Sequence, residues 1–503
     1  MKTKLTLLLS WGIMASILLS NCGSKIDASR CVLLPVAEDP TVSYRIYFKV
    51  GSQDDPAGKE GLAFLTAHML SEAATQSNSY EEIIAKLFPL AAPYDATVSA
   101  EMTVISGRVH RDNLPAYYPL FTEAILKPAF QEDDLNRLKS NVLNYLENVL
   151  KYANDEELGK AVLYNEIFAG TGYGHPTEGL INSINSITIN DVKDFYQKMY
   201  NRNNVIIGLG GGYDNETLTK LQKDLARLPR GVENIATRAV PYDIQGLKVT
   251  IVEKDANATA ISLGFPINIT RENPDWYALA VANSWFGEHR NSSSHLYQVI
   301  RETRGLNYGD YSYIEHFPNS GYYQFPPVNV ARHQQIFEIW IRPVPNETRH
   351  FVLRATMREL HNFIENGLTP EQFNLTRNFL RKYILHYAPT TMMRLGYAID
   401  DKFYGIKGSH LENFRIALDN MTVNDVNSAI RKYLQYDNLQ IVIVTNEAEK
   451  LREDLLANTP SPIKYVTPKP DVVLKEDLEI ANYPLAIQPE NIKIVNIRDL
   501  FYE

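Results

Sequence analysis

Two short strings carry the side chains that could do chemistry. The first is GKEGLAFLTAHML at residues 58–70, with Glu72 one helical turn beyond His68. An imidazole and a carboxylate at i and i+4 share a helix face, so His68 and Glu72 together make a two-ligand remnant, where a zinc site takes about three protein ligands. Packed or hydrogen-bonded in a core, His68 needs no metal. The second string is RETRGLNY at residues 301–308, after the polar loop 287–294. A guanidinium and a phenol, here Arg301 and Tyr308, can stabilise the negative charge that builds on a scissile carbonyl and can hold a peptide backbone. His289, His295 and His316 have no carboxylate at either H-x-x-E-H or H-E-x-x-H spacing and read as surface or loop residues.

The elements that must position these strings come from an internal echo. TINDV at residue 188 recurs as TVNDV at residue 422, and the Asn204 that precedes one β-branched run recurs as Asn438 before another. The offsets, 422 − 188 and 438 − 204, both equal 234. Each copy reads as an N-capped amphipathic helix, a polar turn and a buried strand. A period this long excludes a solenoid and predicts two homologous domains, residues 41–244 and 245–458, after a signal segment (1–21) and a linker (22–40). Strand-like runs over 42–50 and 103–109 mix with helical patterns over 133–150 and 347–365, which gives an α+β class with α/β layers in each domain. Residues 459–503 hold Pro460, Pro462, Pro468, Pro470, Pro484 and Pro489 and are expected to form an extended strap or tail rather than a helix.

On these strings the chain resembles the pitrilysin/insulinase family of zinc peptidases, which includes the mitochondrial processing peptidases. In that family the first helix carries H-x-x-E-H, with two imidazoles gripping zinc and a Glu activating its water. Laid on this sequence, the first His position is Phe64, the Glu position is Ala67, and only His68 survives. The family's third ligand, a Glu in a V-x-x-E string, corresponds to Tyr145, and Glu147 falls on a different helical face. The resemblance therefore implies a degenerate metal motif with no zinc on this chain, and two domains forming half of a clam shell. Arg301 and Tyr308 match the family's C-terminal motif, where they face the zinc across the chamber and bind substrate. Tyr173-Gly174-His175-Pro176 resembles a family loop rather than a ligand site.

Composition narrows the partners. Lys+Arg number 50 against 59 Asp+Glu, a net charge of −9, without a basic run, which argues against nucleic acid. The two cysteines, Cys22 and Cys31, exclude a disulfide framework. Residues 1–21 carry Lys2 and Lys4, then an apolar stretch, and close on Leu19-Ser20-Asn21-Cys22. That is a secretory signal resembling a bacterial lipobox, which implies acylation at Cys22 and attachment to a membrane of the cell envelope through lipid. Two functions follow as expectations. One is a non-catalytic subunit of a heteromeric zinc peptidase, supplying Arg301 and Tyr308 to a homologous H-x-x-E-H-bearing chain that brings the zinc. The other is a peptide-binding or scaffold lipoprotein with no part in catalysis.

Overall fold

The computed structural model describes residues 25–318 and 323–503; the segment 1–21, expected to be a signal, and Cys22 lie outside them. Among the described residues, eleven strands form two sheets. The first holds β1 (Cys31–Pro35), β2 (Thr41–Phe48), β3 (Tyr94–Val98), β4 (Thr103–His110) and β5 (Val205–Gly211), in the order β1-β5-β2-β4-β3. The second holds β6 (Leu247–Glu253), β7 (Ala258–Ile267), β8 (Asp310–Tyr313), β9 (Gln335–Pro345), β10 (Leu439–Thr445) and β11 (Ile492–Asn496), in the order β11-β6-β10-β7-β9-β8. With β11 removed, the two orders correspond strand for strand, including the parallel pairs β1 with β5 and β6 with β10.

The 234-residue offset is visible residue by residue. The helices Ile189–Met199 and Val423–Tyr433 each begin with a capping box, Thr188 with Asp191 and Thr422 with Asp425, which satisfies two amides the helix leaves open. Each leads into an entirely buried strand, β5 or β10. The run expected as helix over 133–150 is helical from Glu132 to Asn144 and then widens into a π-helical turn, Tyr145–Leu150.

The domains are interlocked rather than merely adjacent. The helix Asp155–Ile167, from the first half, packs on β7, β9 and β10, and its counterpart Thr391–Tyr404 packs back on β1, β2 and β5. Small residues make room for the crossings. A Cβ at Gly208 would stand 2.8 Å from Ile399 Cδ1, and one at Gly159 would stand 3.1 Å from Ser262 Oγ. Polar links reinforce the second crossing: Arg45 donates to the Met392 carbonyl at 3.1 Å and to Asn329 Oδ1 at 2.6 Å.

Two expectations about segment boundaries are corrected. The linker 22–40 contains β1, which pairs with β5 through the register Cys31 to Ile207. The C-terminal stretch is not an extended strap, because it forms the helix Asp471–Ala481 and then adds β11 to the edge of β6. Its prolines bracket that helix instead of interrupting it, Pro470 standing at the N-cap. The tail is pinned by Arg354, fully buried, which donates to the Thr459 carbonyl at 2.9 Å, to Asn458 Oδ1 at 2.7 Å, to Ser461 Oγ at 3.0 Å and to the Ala481 carbonyl. Arg354→Met leaves those acceptors buried and unmet, and is expected to destabilise the chain by about 3 kcal/mol or more. Denaturant unfolding checks this, along with faster proteolysis between residues 458 and 470; an unchanged midpoint would refute the pinning role.

Candidate functional site

The first string forms the helix Leu62–Ser71, which starts from Gly61 at φ 100°. The Asp55 carboxylate accepts from the Gly61 and Ala63 amides at 2.7 and 2.6 Å, meeting first-turn donors that have no partner within the helix. A Cβ at Gly61 would lie 2.5 Å from the Glu178 carbonyl oxygen, so backbone angle and neighbour both demand glycine. The helix is thereby fixed against the loop after Pro176, and with it Phe64, Ala67 and His68.

None of this geometry suits zinc. The Phe64 ring lies 4.1 Å from the His68 ring, centroid to centroid, and Ala67 is fully buried. His68 Nδ1 meets Glu72 Oε1 at 2.7 Å, a bond that holds the Glu72 carboxyl below its ordinary range. Tyr145 opens the π-helical turn and lines a cavity, while Glu147 points to solvent. Phenyl and methyl groups carry no lone pairs, and a single imidazole falls short of a zinc ligand set. Among the described residues, no group of three or more His, Cys, Asp or Glu side chains is placed to hold a metal.

The second string begins on another π-helical turn, Tyr297–Glu302. Such turns are rare and concentrate at functional positions; here one carries Arg301 and the other Tyr145. Arg301 is one-third exposed, stacks over Tyr297 at 5.2 Å and pairs with its neighbour Glu302 at 2.6 Å. Tyr308 is 77% exposed, beyond the left-handed Gly305. The other arginine in the string is structural: Arg304 is buried and pairs with Asp477 at 2.9 Å and Glu476 at 2.7 Å on the tail helix. Among the described residues, the side-chain partners of the two strings are separate, His68 meeting Glu72 and Arg301 meeting Glu302.

Between the domains lies a cavity of about 220 Å³, lined by Tyr145, Lys160 and Tyr164 from the first half and by His316, Arg332 and Trp340 from the second. Most of this cluster carries no local signal in the sequence, because its members come from segments far apart along the chain. Tyr164 donates to Glu338 Oε1 at 2.8 Å and meets His316 Nδ1 at 2.8 Å, and Trp340 Nε1 donates to Glu338 Oε2 at 2.9 Å. Of the histidines expected at the surface or on loops, His289 and His316 do lie on loops, but neither is free at the surface. His316 belongs to this network, and His289 is buried with Tyr313 and the Tyr323 carbonyl on its two nitrogens at 2.6 and 3.0 Å. His295 meets Glu359 at 2.6 Å.

Burial pushes the Glu338 carboxyl up to about 7, from an ordinary value of 4.5. The folded chain thus holds this proton more tightly than the unfolded one. The stabilisation is fully present below about pH 4.5 and is lost as pH rises through about 7. Glu338→Gln, which cannot ionise, is expected to lose less stability than the parent chain between about pH 5 and 8. Unfolding free energies measured across that range check this, and parallel curves would contradict it.

The comparisons with known proteins fit this geometry. A family model described as insulinase, peptidase family M16, matches residues 31–179, and one described as the peptidase M16 inactive domain matches residues 186–380. The chain is 25% identical over 411 residues to an uncharacterised zinc protease of Mycobacterium tuberculosis, covering 80% of this chain and 87% of that one. It is 24% identical over 335 residues to the non-peptidase homologue YmxG of Helicobacter pylori, covering 65% of this chain and 71% of that one. Its fold is similar to that of a peptidase M16 inactive domain from Pseudomonas fluorescens, with a TM-score of 0.73 at 24% identity, over 83% of this chain and 95% of the other.

Proposed function

The chain belongs to the M16 insulinase family, and from that premise we propose that it is the zinc-less subunit of a two-chain M16 peptidase. It contributes Arg301 and Tyr308 to substrate binding and to the oxyanion, while a homologous H-x-x-E-H-bearing chain supplies the zinc and its activated water. The carrying observation is an asymmetry. Donor atoms are missing at Phe64 and Ala67, yet Tyr308 stands 77% exposed, where it does no packing that would otherwise account for it. A phenol and a guanidinium on one short segment suit a peptide carbonyl that gains charge as it is attacked.

The experiment is reconstitution. Peptide hydrolysis is measured for this chain alone, for a homologous H-x-x-E-H chain alone, and for the two mixed. Activity only in the mixture supports the reading, and a mixture no faster than the H-x-x-E-H chain removes it. The likeness to a non-peptidase homologue favours a second reading, a peptide-binding or scaffold lipoprotein without catalysis; peptide binding with no activity gained from any such partner would select it. In either case we propose that Cys22 is acylated and anchors the chain to a membrane of the cell envelope, a reading supported by the Lys2/Lys4, apolar and Leu19–Cys22 zones. Loss of membrane association in Cys22→Ser tests that part.

A further inference from the structure

The cavity between the domains holds a guanidinium with an unmet donor. Arg332 is 3% exposed, and its Nη2 is buried without a hydrogen-bond partner. Its Nε donates to Gln335 Oε1 at 3.3 Å. Three aromatic rings surround its guanidinium carbon, Tyr164 at 5.0 Å, Tyr173 at 5.3 Å and Phe168 at 5.5 Å. Cation–π contact offsets part of the desolvation of a buried cation, but a paired anion is what normally completes it. Among the described residues, the nearby carboxylate of Glu338 interacts with Arg332 electrostatically, and no hydrogen bond reaches Nη2.

Two nearby acids are hydrogen-bonded to other side chains, and a third that lines the cavity, Glu178, has its carboxyl pushed up by burial. Glu338 accepts from Tyr164 and Trp340, and Glu101 accepts from Tyr173 and from the His333 backbone and ring. In the same cavity, Lys160 Nζ sits 3.8 Å from the centroid of the Trp340 ring and pairs with Glu157. Asn165 also lines the cavity, and its Oδ1 is buried without a partner, leaving an acceptor as well as a donor unmet.

We propose that this cavity is a carboxylate site, with Arg332 Nη2 donating to the ligand carboxylate and Asn165 Oδ1 accepting an N–H where the ligand carries one. A peptide C-terminus and a small free acid share the carboxylate chemistry; the first deepens the peptide-binding reading above, and the second does not depend on it.

The test is calorimetric titration of the full chain with three probes: tetra-alanine with a free C-terminal carboxylate, the same peptide amidated, and glutarate. A buried charge-assisted hydrogen bond corresponds to an affinity loss of about tenfold or more when it is removed. The free acid is therefore expected to bind at least that much more tightly than the amide if peptide ends are the occupants, and glutarate alone is expected to bind if small acids are. Arg332→Gln should abolish either binding. Should that variant fail to fold, the acid-against-amide and glutarate titrations of the unaltered chain decide the matter by themselves. Equal affinity for acid and amide without glutarate binding, no carboxylate binding at all, or undiminished binding by folded Arg332→Gln would overturn the proposal. Because glutarate binding needs no peptidase partner, failure of this site and failure of the two-chain reading are separable.

Discussion

Arg301→Ala combined with Tyr308→Phe is expected to lower peptide hydrolysis by the reconstituted pair by about a thousandfold, mostly in kcat, with little change in the chain's own stability. Removing one oxyanion donor costs about 10²–10³ in rate, and donors acting on the same charge do not add in full. Stability is largely spared because Tyr308 is mostly exposed and the ion pair of Arg301 is with the partly exposed Glu302 next to it in sequence, leaving its stacking over Tyr297 as the main packing lost. Steady-state kinetics beside a thermal melt separates the alternatives. Activity that survives the double substitution, or that falls only as far as the melting temperature does, would mean the pair has a structural role.

The second large effect concerns metal. Phe64→His with Tyr145→Glu restores two donors around His68, and that variant is expected to take up one zinc with an affinity at least about a thousandfold above the parent chain. His68 is already prepared for this. Its contact with Glu72 through Nδ1 leaves Nε2 as the nitrogen that would face a metal, the arrangement in which an outer carboxylate orients a metal-bound imidazole. Ala67 is left alone in this variant, since it is fully buried and a carboxylate there without metal would be costly. Zinc titration against a competing chelator reads the outcome. If the double variant binds no better than the parent, then the π-helical turn at Tyr145–Leu150 has moved the third position out of reach, and the loss lies in the backbone as well as in the side chains.

Much of the fold was legible because its signals are local. The capping boxes at Thr188 and Thr422, and the strands 234 residues apart, announce themselves within a dozen residues. So does the degenerate motif, since Phe64 and Ala67 lie on the same short helix as His68. What escaped depends on partners distant in sequence. The tail helix is held by Arg304 and Arg358 against Asp477, Glu476 and Glu479, contacts that a count of prolines does not show. The exchange of Asp155–Ile167 and Thr391–Tyr404 between sheets has no sequence signature beyond the small residues at the crossings, Gly159, Gly208 and Gly210. The cavity did leave one signal, Glu338 inside the apolar run from Ile336 to Ile341. A carboxylate in the middle of a buried strand calls for partners, and here they are Tyr164 and Trp340.

The most direct test of the central claim is the metal content of the full chain, purified without its partner and assayed for peptide cleavage in the same preparation. Substoichiometric zinc that dialysis removes, with no cleavage, is the expected result. One zinc per chain that survives dialysis, disappears in His68→Ala and accompanies cleavage by the chain alone would contradict it.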